Sequence, residues 1–169
     1  GLAAHAFQEK SVNRLYAAKG RSSNKAIAIL LGEPGQLSQV TGTLDANARK
    51  LAETFWPGPL TLVVARGPRV PDTVSPSPTV GVRIPNHPVA LALLKLTGPL
   101  AVTSANRSDH ENTLTAADVL AQLNGRIPLV LDGGRTPGGV PSTVVDCTTP
   151  ELKILRAGPI TLEELMRAL

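Results

Sequence analysis

The chain has 169 residues, which is one domain's worth of sequence and long enough to bury about 70% of its unfolded surface. Hydrophobic residues make up 42% and charged residues 18%, which excludes a disordered or fibrous chain as its main state. The net charge is +4, and Phe7, Tyr16, Phe55 and Trp56 are the whole aromatic complement, too few for the stacking platforms that read single-stranded nucleic acid.

Taken in order, Val12, Leu15, Tyr16 and Lys19 recur at helical spacing, and Gly20 follows as a natural stop. Ala26–Leu31 is a continuous apolar run that reads as a buried strand, and 32–35 as a turn. Asp45 caps a predicted helix that carries Ala48, Leu51, Ala52 and Phe55 on one face and is stopped by Pro57-Gly58-Pro59. Strands are predicted over Leu60–Ala65, Val80–Ile84, Leu100–Thr103, Leu129–Leu131, Ser142–Cys147 and Leu152–Leu155. Helices are predicted over His87–Leu96, Thr115–Leu123 and Thr161–Leu169, with a proline-rich loop over 66–78. Strands and helices intermix without strict alternation, so the expected fold is α/β, a single domain with a twisted, open, mixed sheet and flanking helices.

The charge is local. Residues 1–25 hold Lys10, Arg14, Lys19, Arg21 and Lys25 against Glu9 alone, and the remainder balances. A solvated helix face explains most such runs, and an anion site is the alternative. Lys19 continues the apolar stripe, which favours the anion site: the cation points inward, with Arg21 just beyond the turn. A single cysteine, Cys147, excludes a disulfide framework and a thiolate metal site, and His5, His87 and His110 lack ligand spacing. With no apolar run long enough for a membrane span, the expected setting is the cytoplasm.

No Walker loop exists, and the glycines of Asp132-Gly133-Gly134 and Gly138-Gly139 lack dinucleotide-binding spacing. What remains is a set of polar residues at predicted strand ends: Ser104 and Asn106, Ser142 and Thr143, Arg83, and Arg156. One alone is a turn or a cap. Together they point to an anion- and nucleotide-binding cleft.

At these positions the sequence resembles a family. Lys19-Gly20-Arg21, Trp56-Pro57-Gly58-Pro59-Leu60-Thr61-Leu62-Val63, Val80-Gly81-Val82-Arg83-Ile84-Pro85 and Thr103-Ser104-Ala105-Asn106 are ordered as in YrdC-like threonylcarbamoyl-AMP synthases. Asp132-Gly133-Gly134, Ser142-Thr143-Val144-Val145-Asp146 and Ile154-Leu155-Arg156-Ala157-Gly158 continue the series, so the resemblance covers residues 1–169 as one YrdC-like domain. It implies a concave basic cleft and the synthesis of threonylcarbamoyl-adenylate from L-threonine, bicarbonate and ATP, for tRNA modification. ATP is then a substrate, Mg²⁺ its companion, and no tightly bound cofactor is expected. Lys19 and Arg21 are expected to contact carboxylate and phosphate, Arg83 and Arg156 to clamp them, and Ser104, Asn106, Ser142 and Thr143 to bond adenylate and threonyl groups.

The implied partners are the machinery that transfers the threonylcarbamoyl group to tRNA and, through weak electrostatic contact, tRNA itself. Two other readings stay open: an RNA-binding module without turnover, and a carbamoyl-transfer domain of the hydrogenase-maturation type. Ser22 stands where the family usually has proline, and Asp109 follows Ser108 where glycine is usual. The family's Thr-x-Thr-x-Tyr-Gly-Leu signature is represented by Gly1-Leu2. The first strand and its hydroxyl-bearing turn are therefore expected to be missing from the pocket, which leaves a sheet edge unpaired and the chain alone a poor enzyme.

Overall fold

The computed structural model describes residues 1–136, 140–149 and 151–169. Gly138-Gly139 of the glycine-rich stretch lie outside the described residues.

Among the described residues seven strands form one sheet in the order β1-β5-β2-β4-β3-β6-β7. They are β1 (Leu2–His5), β2 (Ala28–Leu30), β3 (Leu60–Ala65), β4 (Thr79–Arg83), β5 (Leu100–Thr103), β6 (Thr143–Asp146) and β7 (Lys153–Arg156). The pairs β2·β4 and β3·β6 are parallel, and the other four neighbours are antiparallel, so the sheet is open and mixed. The helices are α1 (Glu9–Lys19), α2 (Ala46–Phe55), α3 (Pro88–Thr97), α4 (Ala116–Leu123) and α5 (Leu162–Arg167).

Local chemistry accounts for most boundaries. The Asp45 carboxylate accepts from the Asn47 N–H at 2.8 Å and starts α2, while Thr115 with Asp118 and Thr161 with Glu164 close capping boxes on α4 and α5. Alternation on β4 buries Val80 and Val82 against a core that includes Val12, Leu15, Ile29, Leu51, Leu62 and Leu165. The register therefore turns Ala28, Thr61, Gly81 and Arg83 to the opposite face.

Two expectations are corrected, and one strand is added. Leu129–Leu131 is not a strand: no other strand pairs with it among the described residues, and Leu129 and Leu131 are 70% and 54% exposed. The turn at 32–35 extends into a 3₁₀ turn over Pro34–Gln39, where the Gln36 side chain accepts from the Gly32 N–H and donates to the Leu94 carbonyl. Residues Leu2–His5, left without an element, form β1 and pair antiparallel with β5.

Candidate functional site

The left-handed backbone of Gly20, φ 63°, ends α1 with its N–H on the Ala17 carbonyl and the Arg21 N–H on the Tyr16 carbonyl. That reversal leaves Lys19 on the buried face and throws Arg21 across the start of β2. Lys19 is 3% exposed, and its ammonium donates to the Ser104 carbonyl, to the Asn106 carbonyl at 2.6 Å and to Asn106 Oδ1 at 3.1 Å. Its three protons are thus committed to the loop after β5, and Asn106 Nδ2 carries the network on to the His110 carbonyl at 2.7 Å. Burial, and then the neighbouring Arg21, lower the Lys19 pKa to about 8. Arg21 donates from Nη2 to the Ala26 carbonyl at 3.2 Å, and its buried Nε has no partner.

A second group forms at the other end of the strands. Arg83 Nε donates to the Gly58 carbonyl at 2.7 Å. Arg156 donates from Nε and Nη2 to the Ser142 carbonyl at 3.1 and 2.8 Å, and from Nη2 to Ser142 Oγ at 3.0 Å. Burial and the Arg156 charge both lower the Arg83 pKa, so the two guanidiniums share one region. Thr143 sits differently. Its hydroxyl donates to the Ile160 carbonyl at 2.8 Å and accepts from the Ile160 N–H at 3.0 Å, so its proton is spent inside the protein, and the residue is fully buried.

The eight predicted residues therefore form two clusters. Lys19, Arg21, Ser104 and Asn106 lie where β2 begins and β5 ends, whereas Arg83, Arg156, Ser142 and Thr143 lie where β4 and β7 end and β6 begins. Along the chain that enters and forms β2, the step from Ala26, which Arg21 touches, to Leu30, beside Arg83, is four residues, roughly 13 Å at ~3.3 Å per residue. In a mixed sheet the strand ends point both ways, so "strand end" names two places. Between them lies the face carrying Ala28, Thr61 and Gly81.

None of the four cations of these clusters has a carboxylate partner; the ion pairs among the described residues are Arg66–Asp72 and Arg167–Glu163. Unpaired, partly desolvated cations at both ends of a face of small side chains are suited to hold an elongated polyanion. An apolar cavity of about 650 Å³ lies elsewhere, between β1, α1, α3 and residues 126–136, and its lining includes none of the eight. No group of three or more Asp, Glu, His or Cys residues converges among the described residues. Among the described residues no helix is long and apolar enough to cross a membrane.

Sequence reasoning passed over Thr61 and Gly58. Thr61 Oγ1 lies 2.8 Å from Ser142 Oγ, and the Gly58 carbonyl fixes Arg83. A hydroxyl between Leu60 and Leu62 in an otherwise apolar strand was the available signal for the first.

The family model Sua5/YciO/YrdC, described as "Telomere recombination", matches residues 1–158. The threonylcarbamoyl-AMP synthase of Bacillus subtilis is 40% identical over 98% of this chain, and that of Pyrococcus abyssi 38% identical over all of it. The chain spans about half the length of these curated relatives, 49% and 50%. A crystal structure of P. abyssi Sua5 complexed with L-threonine superposes with a TM-score of 0.95 at 38% identity, covering 100% of this chain and 50% of that one.

Proposed function

Since the chain belongs to the Sua5/YciO/YrdC family, we propose that it carries the catalytic core of an L-threonylcarbamoyladenylate synthase, a nucleotidyltransferase that uses L-threonine, bicarbonate and ATP. The observation that carries this reading is the pair of carboxylate-free cation clusters flanking one face of the sheet. Protonated bicarbonate loses water to give CO₂, the neutral threonine amine adds to the CO₂ carbon and releases its proton to solvent to form a carbamate, and a carbamate oxygen attacks the α-phosphorus of ATP. The P–O bond to the β-phosphate breaks, and pyrophosphate leaves with the electron pair. No side-chain nucleophile takes part. The work for the protein is to align two anions and neutralise the charge that builds on phosphoryl oxygens.

Arg21, with an unused buried Nε, supplies the charge on one side, and Arg83 and Arg156 clamp oxyanions on the other. Lys19 acts by holding Ser104 and Asn106 in place and by adding positive potential, and Thr143 acts through the backbone it pins at Ile160. The described residues offer no protein cage for a divalent ion, so Mg²⁺ accompanies the nucleotide phosphates in this reading and no step depends on a protein-held metal. The product goes to the tRNA threonylcarbamoyl-transfer machinery. Any tRNA contact is weak and electrostatic, and the setting is cytoplasmic.

Threonine-dependent release of pyrophosphate from ATP tests the reading. Arg21→Ala lowers it about 10²-fold or more, with the thermal transition unchanged. Salt-sensitive RNA binding without turnover would replace the synthase with an RNA-binding module.

A further inference from the structure

Among the described residues Asp146 is the one acidic residue in the seven strands, and it stands on the face that the two cation clusters flank. Val145 and Cys147 belong to the core, so alternation along β6 turns Asp146 to the opposite side. The register places it in one row with Val63 and Gly81, and Ala28 lies next to Gly81, so the floor beside the carboxylate is apolar and low.

The carboxylate is half used. Its Oδ1 accepts from the Thr148 N–H at 2.9 Å and from the Thr148 hydroxyl at 2.7 Å, and Oδ2 has no partner among the described residues. Lys153, the cross-strand neighbour, is exposed and forms no ion pair with it. An ionised carboxylate only accepts, so this corner of the face takes an N–H donor, where the clusters take anions.

Two reactants of the synthase bring such a donor: the ammonium of L-threonine and the 6-amino group of adenine. In threonine the ammonium and carboxylate sit on one carbon, so the ammonium stays beside whichever cation holds the carboxylate. The Arg156 guanidinium is drawn to Ser142, four residues before Asp146, roughly 13 Å away at ~3.3 Å per residue. That span is too long for an amino acid and comparable to an adenylate stretched from phosphate to base. Guanine presents two adjacent N–H groups that call for both carboxylate oxygens, and Thr148 already holds one.

We infer that Asp146 is a specificity-determining residue that accepts a hydrogen bond from the 6-amino group of adenine, with the nucleoside lying over Val63 and Gly81. The inference rests on the synthase reading for the identity of the nucleotide.

Asp146→Asn separates reading the base from holding the turn, because the amide keeps an oxygen for Thr148 and replaces the free acceptor by a donor. The test compares ATP with inosine triphosphate, whose base carries a 6-oxo group in place of the amine, by calorimetric titration and by threonine-dependent pyrophosphate release. The native chain should favour ATP about tenfold or more. Asp146→Asn should lose about tenfold on ATP and gain on inosine triphosphate, with the KM for L-threonine within about twofold of native. Should the asparagine variant fail to fold, Asp146→Ser keeps an oxygen for the Thr148 N–H and should lower the preference for ATP without the gain on inosine triphosphate. A native chain indifferent to the two nucleotides, or an unchanged preference in the variants, overturns the role of Asp146 and leaves the synthase reading standing. So does a rise confined to the threonine KM, which would assign the carboxylate to the ammonium. A native chain that binds neither nucleotide overturns both readings.

Discussion

Lys19 joins fold and chemistry in one side chain. Its ammonium is the common donor for two backbone carbonyls and the Asn106 side chain, so Lys19→Met leaves buried acceptors without a partner. The loss should be about 1–3 kcal/mol for an abandoned acceptor, read as a lower denaturation midpoint. The same burial that makes the network compact holds the Lys19 pKa near 8, with Arg21 adding to the effect. The charged form is therefore present at neutral pH and lost on the alkaline side, well below the usual lysine range. The kcat/KM profile for the threonine- and ATP-dependent reaction should bend downward above pH about 8; a profile flat to pH 10 excludes Lys19 charge from the mechanism. Asp109 carries a different strain. It has φ 64° in the loop that Lys19 holds, a conformation in which a Cβ is costly. Asp109→Gly should be more stable than Asp109→Ala by about 1 kcal/mol, as measured by urea unfolding of the two variants.

At the scale of elements, the chain from β7 into α5 is fastened to β6 by close backbone approach. A Cβ on Gly158 would stand 2.3 Å from the Thr143 N and 2.6 Å from the Pro141 carbonyl oxygen, and the Thr143 hydroxyl holds Ile160 from both sides. Gly158→Ala should cost about 3 kcal/mol because backbone, not a movable side chain, is in the way. Gly35→Ala, with nothing within 4 Å of its Cβ, should stay within about 0.5 kcal/mol of native in the same denaturation series. The elements most legible in the sequence were those whose local chemistry and tertiary role agree. Leu60–Ala65 and Leu100–Thr103 are strands with the predicted bounds, and Asp45 caps α2 as its spacing foretold. β1 was missed because Leu-Ala-Ala-His is short and without β-branched residues, and its extended shape comes from pairing with β5. Leu129–Leu131 was overread for the converse reason: an apolar triplet becomes a strand only beside another strand. The residue types of the candidate site were also legible, singly. Their division into two clusters was not, since it follows from strand direction, which no spacing reports.

The molecule as a whole bears the consequence of leaving the cations of both clusters without carboxylate partners. The +4 net charge is small, but Lys19 lies close to Arg21, and Arg83 to Arg156, close enough to depress the Lys19 and Arg83 pKa values, with no carboxylate partner among the described residues. The free protein is therefore less stable than its core allows, and in the synthase reading a polyanionic ligand relieves that repulsion. Two effects should appear together in thermal melts. Raising chloride from low to physiological ionic strength should raise the melting temperature of the free chain by screening like charges. ATP or pyrophosphate at about 100 times its Kd should add ~2.7 kcal/mol, which for a chain of this size is about 5–10 °C. Arg156→Gln removes one of the repelling charges and one of the anion contacts, so it should shrink both responses at once. A free chain indifferent to chloride that nonetheless keeps its full ligand-induced rise in Arg156→Gln would mean that the second cluster is structural and that the anion binds elsewhere.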